Sequence, residues 1–248
     1  MAYSDMYYHK DLLNGLVDSK KAKVVLELGV RSVCSGAKST SAFIFWEALS
    51  SISNSKLLSC DLENPKKDSS LIKELKESKR WHFFKGDTRE MLEPIKSFLE
   101  ESNLKVDILF IDTGKEYELT KFELENYSSL LSATGIILMH DVGVDWKFND
   151  IIRHKKRPSK QVRADWAGHD RAVMEFLEVS DFKLKAQLGS YNMAVLFRDE
   201  AHTSGVKISN DLPYDNNRHK IKYRLKDGSY YIEKRRQAWN KIWKKFEK

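Results

Sequence analysis

Two short apolar runs stop abruptly at polar residues. Val106–Ile111 runs into Asp112, and Gly135–Met139 runs into His140-Asp141. Continuous runs of this length suit strands buried on both faces of a parallel sheet. Similar runs occur earlier, at Lys23–Leu28, Lys56–Cys60 and Trp81–Lys85. Between them lie stretches with helical spacing: residues 8–19, Ser39–Ser51, Ser69–Lys79, Thr88–Leu99 and Leu119–Leu131. The fourth of these is expected to break near Pro94, whose ring and missing N–H interrupt a helix. The fifth is expected to bury Leu119, Phe122, Tyr127, Leu130 and Leu131. After Asp141 the rhythm lapses. Residues 142–168 are polar and basic, carry Trp146 and Trp166 and show no strong period; a segment of that length reads as a substrate lid or insert. Asp170–Val179 resumes as a helix. Phe182–Leu188 and Tyr191–Arg198 then read as a hairpin turning at Gly189-Ser190.

This alternation predicts an α/β fold: a mainly parallel, seven-stranded sheet with helices on both faces and a C-terminal antiparallel hairpin. The simplest division is one domain over residues 1–200 and an extension over 201–248. A chain of 248 residues is long enough to bury a full core. With 41% apolar and 32% charged residues it reads as globular rather than disordered. No apolar run reaches the roughly 20 residues needed to span a bilayer. The first residues lack the basic and apolar segments of a signal peptide. Only Cys34 and Cys60 occur, so neither a disulfide framework nor a cysteine-based zinc site is expected, and a reduced cytoplasmic compartment is the default.

The net charge of +7 changes the picture only at one end. Residues 218–248 hold 12 Lys/Arg against 3 Asp/Glu, which leaves 31 against 33 in residues 1–217. Within that tail Ile232, Trp239, Ile242, Trp243 and Phe246 recur at helical spacing, giving a basic amphipathic helix. Its aromatic face is expected to pack on the body or on a second subunit of a homo-oligomer. The competing reading is contact with an acidic partner such as nucleic acid, an anionic glycan or a membrane surface.

In open α/β sheets, ligands sit beyond the carboxyl ends of the strands. Asp112, His140 and Asp141 are therefore aimed at one crevice. The first strand ends in Glu27-Leu28-Gly29, and a loop leads to Gly36-Ala37-Lys38-Ser39-Thr40 at a helix start. Glycine there lets the backbone approach a ligand, and a helix N-terminus offers free N–H groups. Asp61 ends the second strand, where a carboxylate can accept ribose hydroxyls. Gly86-Asp87 follows the third. A P-loop needs Gly-Lys-Ser/Thr contiguous, and Ala37 intervenes; Gly29-Val30-Arg31 does not supply the G-x-G-x-x-G of a dinucleotide fold.

Together these residues resemble the class I, Rossmann-like S-adenosylmethionine-dependent methyltransferases, over about Lys23 to Arg198. The resemblance implies cofactor binding by Glu27, Gly29, Thr40, Asp61, Asp87 and Asp112, with Asp87 near the adenine edge. The string Leu109-Phe110-Ile111-Asp112-Thr113-Gly114-Lys115-Glu116-Tyr117 is similar to the fourth-strand motif of the metal-dependent O-methyltransferases, both catechol and sugar types. His140-Asp141 matches the pair that ends the next strand in sugar- and antibiotic-modifying relatives. By that likeness Asp112, His140 and Asp141 are the metal-facing set, for Mg²⁺ or Mn²⁺, and Lys115, His140 and Asp141 are the catalytic set. Lys115 is the candidate base, provided that burial or nearby positive charge lowers its pKa. The segment Arg31–Lys38 is about four residues longer than its counterpart in those relatives, so Gly29 is a safer cofactor contact than Gly36.

The expected substrate is a hydroxylated small molecule, such as a sugar or glycoside. Two other functions compete. One is a nucleic-acid methyltransferase that uses the basic tail, although no two prolines are adjacent and neither cysteine follows a proline. The other is a non-catalytic module that keeps the cofactor fold. For the individual side chains, plainer roles also stand. Asp112 and Asp141 can cap helices or hold loops, His140 can orient Asp141 and Lys115 can be a solvated loop lysine. His169 is a candidate for lining a substrate pocket, and Tyr7, Tyr8 and His9 for a cofactor lid.

Overall fold

The computed structural model describes residues 6, 9–30, 40–64, 70–142, 160–187, 193–204 and 206. All of them fall in the first of two units of the chain, Met1–Leu212. Several expectations lie outside the described residues: the Gly36–Ser39 segment and its extra length, Tyr7 and Tyr8, the turn at Gly189-Ser190, most of the 142–168 insert, and the tail helix.

Seven strands form one sheet in the order β3-β2-β1-β4-β5-β7-β6. They are β1 (Val24–Leu28), β2 (Lys56–Asp61), β3 (Trp81–Lys85), β4 (Val106–Ile111), β5 (Leu131–His140), β6 (Lys183–Gln187) and β7 (Met193–Phe197). The first five pair in parallel, while β7 runs antiparallel to both β5 and β6. Six helices accompany them among the described residues: α1 (Lys10–Lys20), α2 (Ser41–Ser50), α3 (Ser70–Glu77), α4 (Thr88–Glu101), α5 (Tyr117–Tyr127) and α6 (Lys160–Val179).

Alternation along each strand divides the core in two. Val25, Leu57, Ile108, Phe110, Ile136 and Leu138 join Leu13, Leu16, Phe45, Leu49 and Leu75 of α1–α3 on one face. Leu26, Leu28, Leu58, Leu109, Ile111, Ile137 and Met139 join Ile95, Leu99, Leu124, Tyr127, Val173 and Phe176 of α4–α6 on the other. Both faces are covered, which is why the strands read as unbroken apolar runs.

Three boundaries differ from expectation. Helix α4 passes through Pro94 without breaking. Pro94 is exposed, so the Glu90 carbonyl it leaves unpaired can turn to water, while Ile95 and Leu99 pack fully beneath it. Leu131 belongs to β5, opposite Val106, and a short 3-10 turn at Ser128–Leu130 separates it from α5. Two adjacent leucines satisfy a helical and a strand pattern equally, and pairing decided between them. Finally, α6 begins at Lys160, inside the stretch that showed no period. Gly168 sits within that helix because its α-carbon lies against Tyr117 of α5; a β-carbon there would come within 2.9 Å of the tyrosine's own β-carbon.

Candidate active site

Strand order reverses between β1 and β4, so the crevice of the sheet opens between their carboxyl ends. The backbone is tight there. Gly29 donates its N–H to the Cys60 carbonyl at 2.9 Å, and the Asp112 N–H donates to the Leu28 carbonyl at 2.9 Å. Gly29 has φ +84°, and a β-carbon on it would collide with the Asp112 carbonyl. Both conditions demand glycine.

Beside this point the tips of β4 and β5 bring four side chains together. His140 Nδ1 lies 3.1 Å from Asp112 Oδ1 and 3.4 Å from Asp141 Oδ2. Lys115 Nζ donates to Asp112 Oδ1 at 3.1 Å and to the His140 carbonyl at 3.3 Å. One donor atom each from Asp112, His140 and Asp141 falls within a 4.8 Å cluster. Asp141 takes a left-handed backbone, φ +64°, a region that Asp enters more readily than most residues. Burial works against a charged His140, but the Asp112 and Asp141 carboxylates outweigh it and push the imidazole up to about 10. Burial likewise opposes ionisation of Asp112; His140 and Lys115 overcome it and hold this carboxyl below its usual value. Two acids and two bases thus neutralise one another.

The residues matched to the cofactor are held differently. Asp61 accepts the Val30 N–H at 2.6 Å and the Glu63 N–H at 2.9 Å. Asp87 caps α4 and takes Arg89 three ways, from its backbone N–H, Nε and Nη2, each at 2.9 Å; the Arg89 hydrogen bond keeps its carboxyl below the usual value. Thr40 is fully buried and caps α2 through the Phe43 N–H at 3.2 Å. Glu27 is also fully buried, on the α2 face, with Ser41 hydroxyl bonded to one oxygen and Ser59 hydroxyl to the other. Burial pushes its carboxyl up to about 8, so it is largely protonated at neutral pH.

Around the cluster, the His9 ring meets that of His140 edge-on at 5.8 Å between centroids. His169 is buried between α5 and α6 with Nδ1 2.7 Å from the Thr120 hydroxyl. Burial pushes it down to about 3, so it stays neutral. Sequence reasoning passed over Glu123, a buried acid on α5 that accepts from Thr88 at 2.8 Å and Thr113 at 2.7 Å. A signal was present: the buried face of α5 is Thr120, Glu123, Leu124 and Tyr127, a clean i, i+3, i+4, i+7 stripe. It stayed hidden because two of its members are polar.

Over residues 33–142 the sequence matches a family model described as a methyltransferase domain. A search of curated proteins finds no match. Similar solved structures include a candidate caffeoyl-CoA O-methyltransferase from Staphylococcus aureus, 16% identical over 76% of this chain and 82% of that one, with a TM-score of 0.52. Cofactor-bound Rv0187 from MTB is 14% identical over 81% and 83%, with a TM-score of 0.53. An O-methyltransferase from Bacillus cereus in complex with SAH is 15% identical over 79% and 82%, with a TM-score of 0.50. Residues 33–142 thus carry a methyltransferase-domain match, and the fold around them is the one these solved structures share.

Proposed function

We propose that this domain transfers a methyl group from S-adenosylmethionine to a hydroxyl oxygen of a small molecule such as a sugar or glycoside, with help from a divalent cation. The observation that carries this reading is the convergence of Asp112, His140, Asp141 and Lys115 beside the β1/β4 crevice. S-Adenosylmethionine brings an electrophilic methyl group and needs little from the protein beyond alignment. In this reading Gly29 admits the cofactor backbone-close, and Asp61 and Asp87 retain lone pairs for its ribose and adenine ends. Thr40 and Glu27 act one step back, by fixing the start of α2.

The donor set fits a small divalent cation: two carboxylates suit Mg²⁺, and the imidazole nitrogen also admits Mn²⁺. When bound, such an ion lowers the pKa of an acceptor hydroxyl and orients it. The protein's own part is to surrender the His140 proton, which the two carboxylates otherwise retain, so ion affinity should rise with pH. Lys115 reaches the same point and is placed to take the hydroxyl proton.

Titration calorimetry with S-adenosylhomocysteine tests the cofactor half, and the absence of heat at millimolar ligand would sink it. A panel of catechols, sugars and nucleotide sugars, assayed with and without EDTA, tests the rest. Asp141→Ala should abolish metal-stimulated turnover and leave S-adenosylhomocysteine affinity unchanged. Turnover indifferent to EDTA would remove the ion from the scheme.

A further inference from the structure

The buried Glu123 lies outside the catalytic set, yet it touches both sides of the site. Its Oε2 accepts from the Thr113 hydroxyl at 2.7 Å, and its Oε1 from the Thr88 hydroxyl at 2.8 Å. Thr113 directly follows Asp112 and its backbone packs against Gly29. Thr88 directly follows Asp87 and opens α4. One turn further along α5, the Tyr127 hydroxyl donates to the Thr88 carbonyl at 2.6 Å. Helix α5 therefore grips Thr88 twice, by hydroxyl and by carbonyl, and grips Thr113 once. Glu123 and Tyr127 are both fully buried.

We propose that Glu123 is a positioning residue: it locks the chain just beyond β4 to the first turn of α4, setting the separation between the Asp112–Lys115 side of the site and the Asp87–Arg89 side. The inference rests on the reading that the cofactor lies between these strand tips. An acid is costly to keep here, since burial pushes it up to about 7 even with two hydroxyls bonded to it. A residue that only filled space would be an alkyl group. A carboxyl has what this place requires, two hydrogen-bonding atoms on one planar head, one for each segment.

The site is exacting because Gly29, Asp112 and Thr113 are already in close backbone contact. A shift of Thr113 moves Asp112 relative to Gly29, and a shift of Thr88 moves the Asp87 cap. Losing the carboxyl leaves the buried Thr88 hydroxyl and the half-buried Thr113 hydroxyl to find new partners, and each can drag its segment toward the nearest carbonyl.

Binding of S-adenosylhomocysteine, measured by calorimetry well below the unfolding temperature, reads this directly. Glu123→Ala should weaken it about tenfold, and Glu123→Gln, which keeps the shape and can still bond both threonines, should restore it to within about twofold. Thr113→Val should weaken it about threefold alone and add nothing in the Glu123→Ala background. Amide exchange at residues 113–116 should quicken in Glu123→Ala. Unchanged affinity in Glu123→Ala, or additive losses in the double variant, would overturn the proposal. Should Glu123→Ala not fold, Thr88→Val and Thr113→Val decide the matter: non-additive losses support a shared carboxyl, and additive losses refute it. Failure of the parent protein to bind S-adenosylhomocysteine would bring down the cofactor reading and this inference with it, an outcome distinct from normal binding that no variant disturbs.

Discussion

Along the rim of the sheet, the acids of β2 and β3 each take backbone N–H groups, with the Arg89 side chain added at Asp87, whereas those of β4 and β5 face cationic side chains. Asp61 takes backbone N–H groups of Val30 and Glu63, and Asp87 takes the helix it caps together with Arg89. Asp112 and Asp141 face His140 and Lys115 instead. Backbone donors do not leave. Side-chain cations can rotate away, lose a proton or be replaced by another cation. The first half of the rim is thus built to hold one shape, and the second to exchange charge. The proposed methyl transfer needs both: a donor held still, and an acceptor whose proton can go somewhere.

The sharpest way to break this contrast is to remove one charge from the exchanging half. Asp112→Ala leaves His140 and Lys115 facing a single carboxylate, and should cost about 3 kcal/mol of stability in urea unfolding at pH 7. It should also lower the His140 pKa from its value of about 10, which an NMR titration of the ring would show. The sign is fixed. A histidine raised in the fold stabilises below pH 6.5, and its contribution fades as pH climbs through 10. A loss smaller than about 1 kcal/mol would mean that the ionic half is as firmly held as the other.

The next largest effect belongs to the buried Glu27 beneath the cofactor half. The folded protein keeps its proton up to about 8, while an ordinary glutamic acid near 4.5 has already lost it. The folded state therefore binds more protons between those values, and the parent loses stability as pH rises from 5 to 7. Glu27→Gln should remove that decline, gaining on the order of 2 kcal/mol over the parent across that window. Parallel unfolding curves for the two proteins at pH 5 and pH 7 would show that Glu27 is ionised in the fold.

The smallest effect is expected at Asp61. Asp61→Asn keeps an oxygen for the Val30 N–H and gives up the one bonded to Glu63, so stability should fall by only about 1 kcal/mol. Affinity for S-adenosylhomocysteine should fall further, because the variant can no longer accept two ribose hydroxyls. Equal small losses in both would place Asp61 in a purely structural role.

Much of this was legible before any coordinates. Seven apolar runs became seven strands, and the abrupt polar ends at Asp112 and His140-Asp141 became the tips of neighbouring strands β4 and β5. What periodicity could not reach was the partner of each polar atom. Asp61 was matched to ribose hydroxyls, and the fold adds two backbone partners to it, the N–H groups of Val30 and Glu63. Thr40 was read as a ligand contact, and its hydroxyl caps α2. Glu123 was invisible because the apolar face was drawn through Leu119 and Phe122, whereas the buried face runs through Thr120, Glu123, Leu124 and Tyr127.

The chain's own order of residues settled which segments are strands, which faces they bury and which side chains reach the rim, because these follow from spacing of two or 3.6 residues within a single segment. Folding settled who meets whom. Asp112 and His140 are 28 positions apart and meet at 3.1 Å; Thr88 and Glu123 are 35 apart and meet at 2.8 Å. Such meetings depend on how parallel strands are ordered across the sheet and how α4 and α5 lie on it, and no local pattern encodes that distance. The same separation governs chemistry: a carboxylate's charge state is set by what comes within hydrogen-bond reach, and that is a property of the fold.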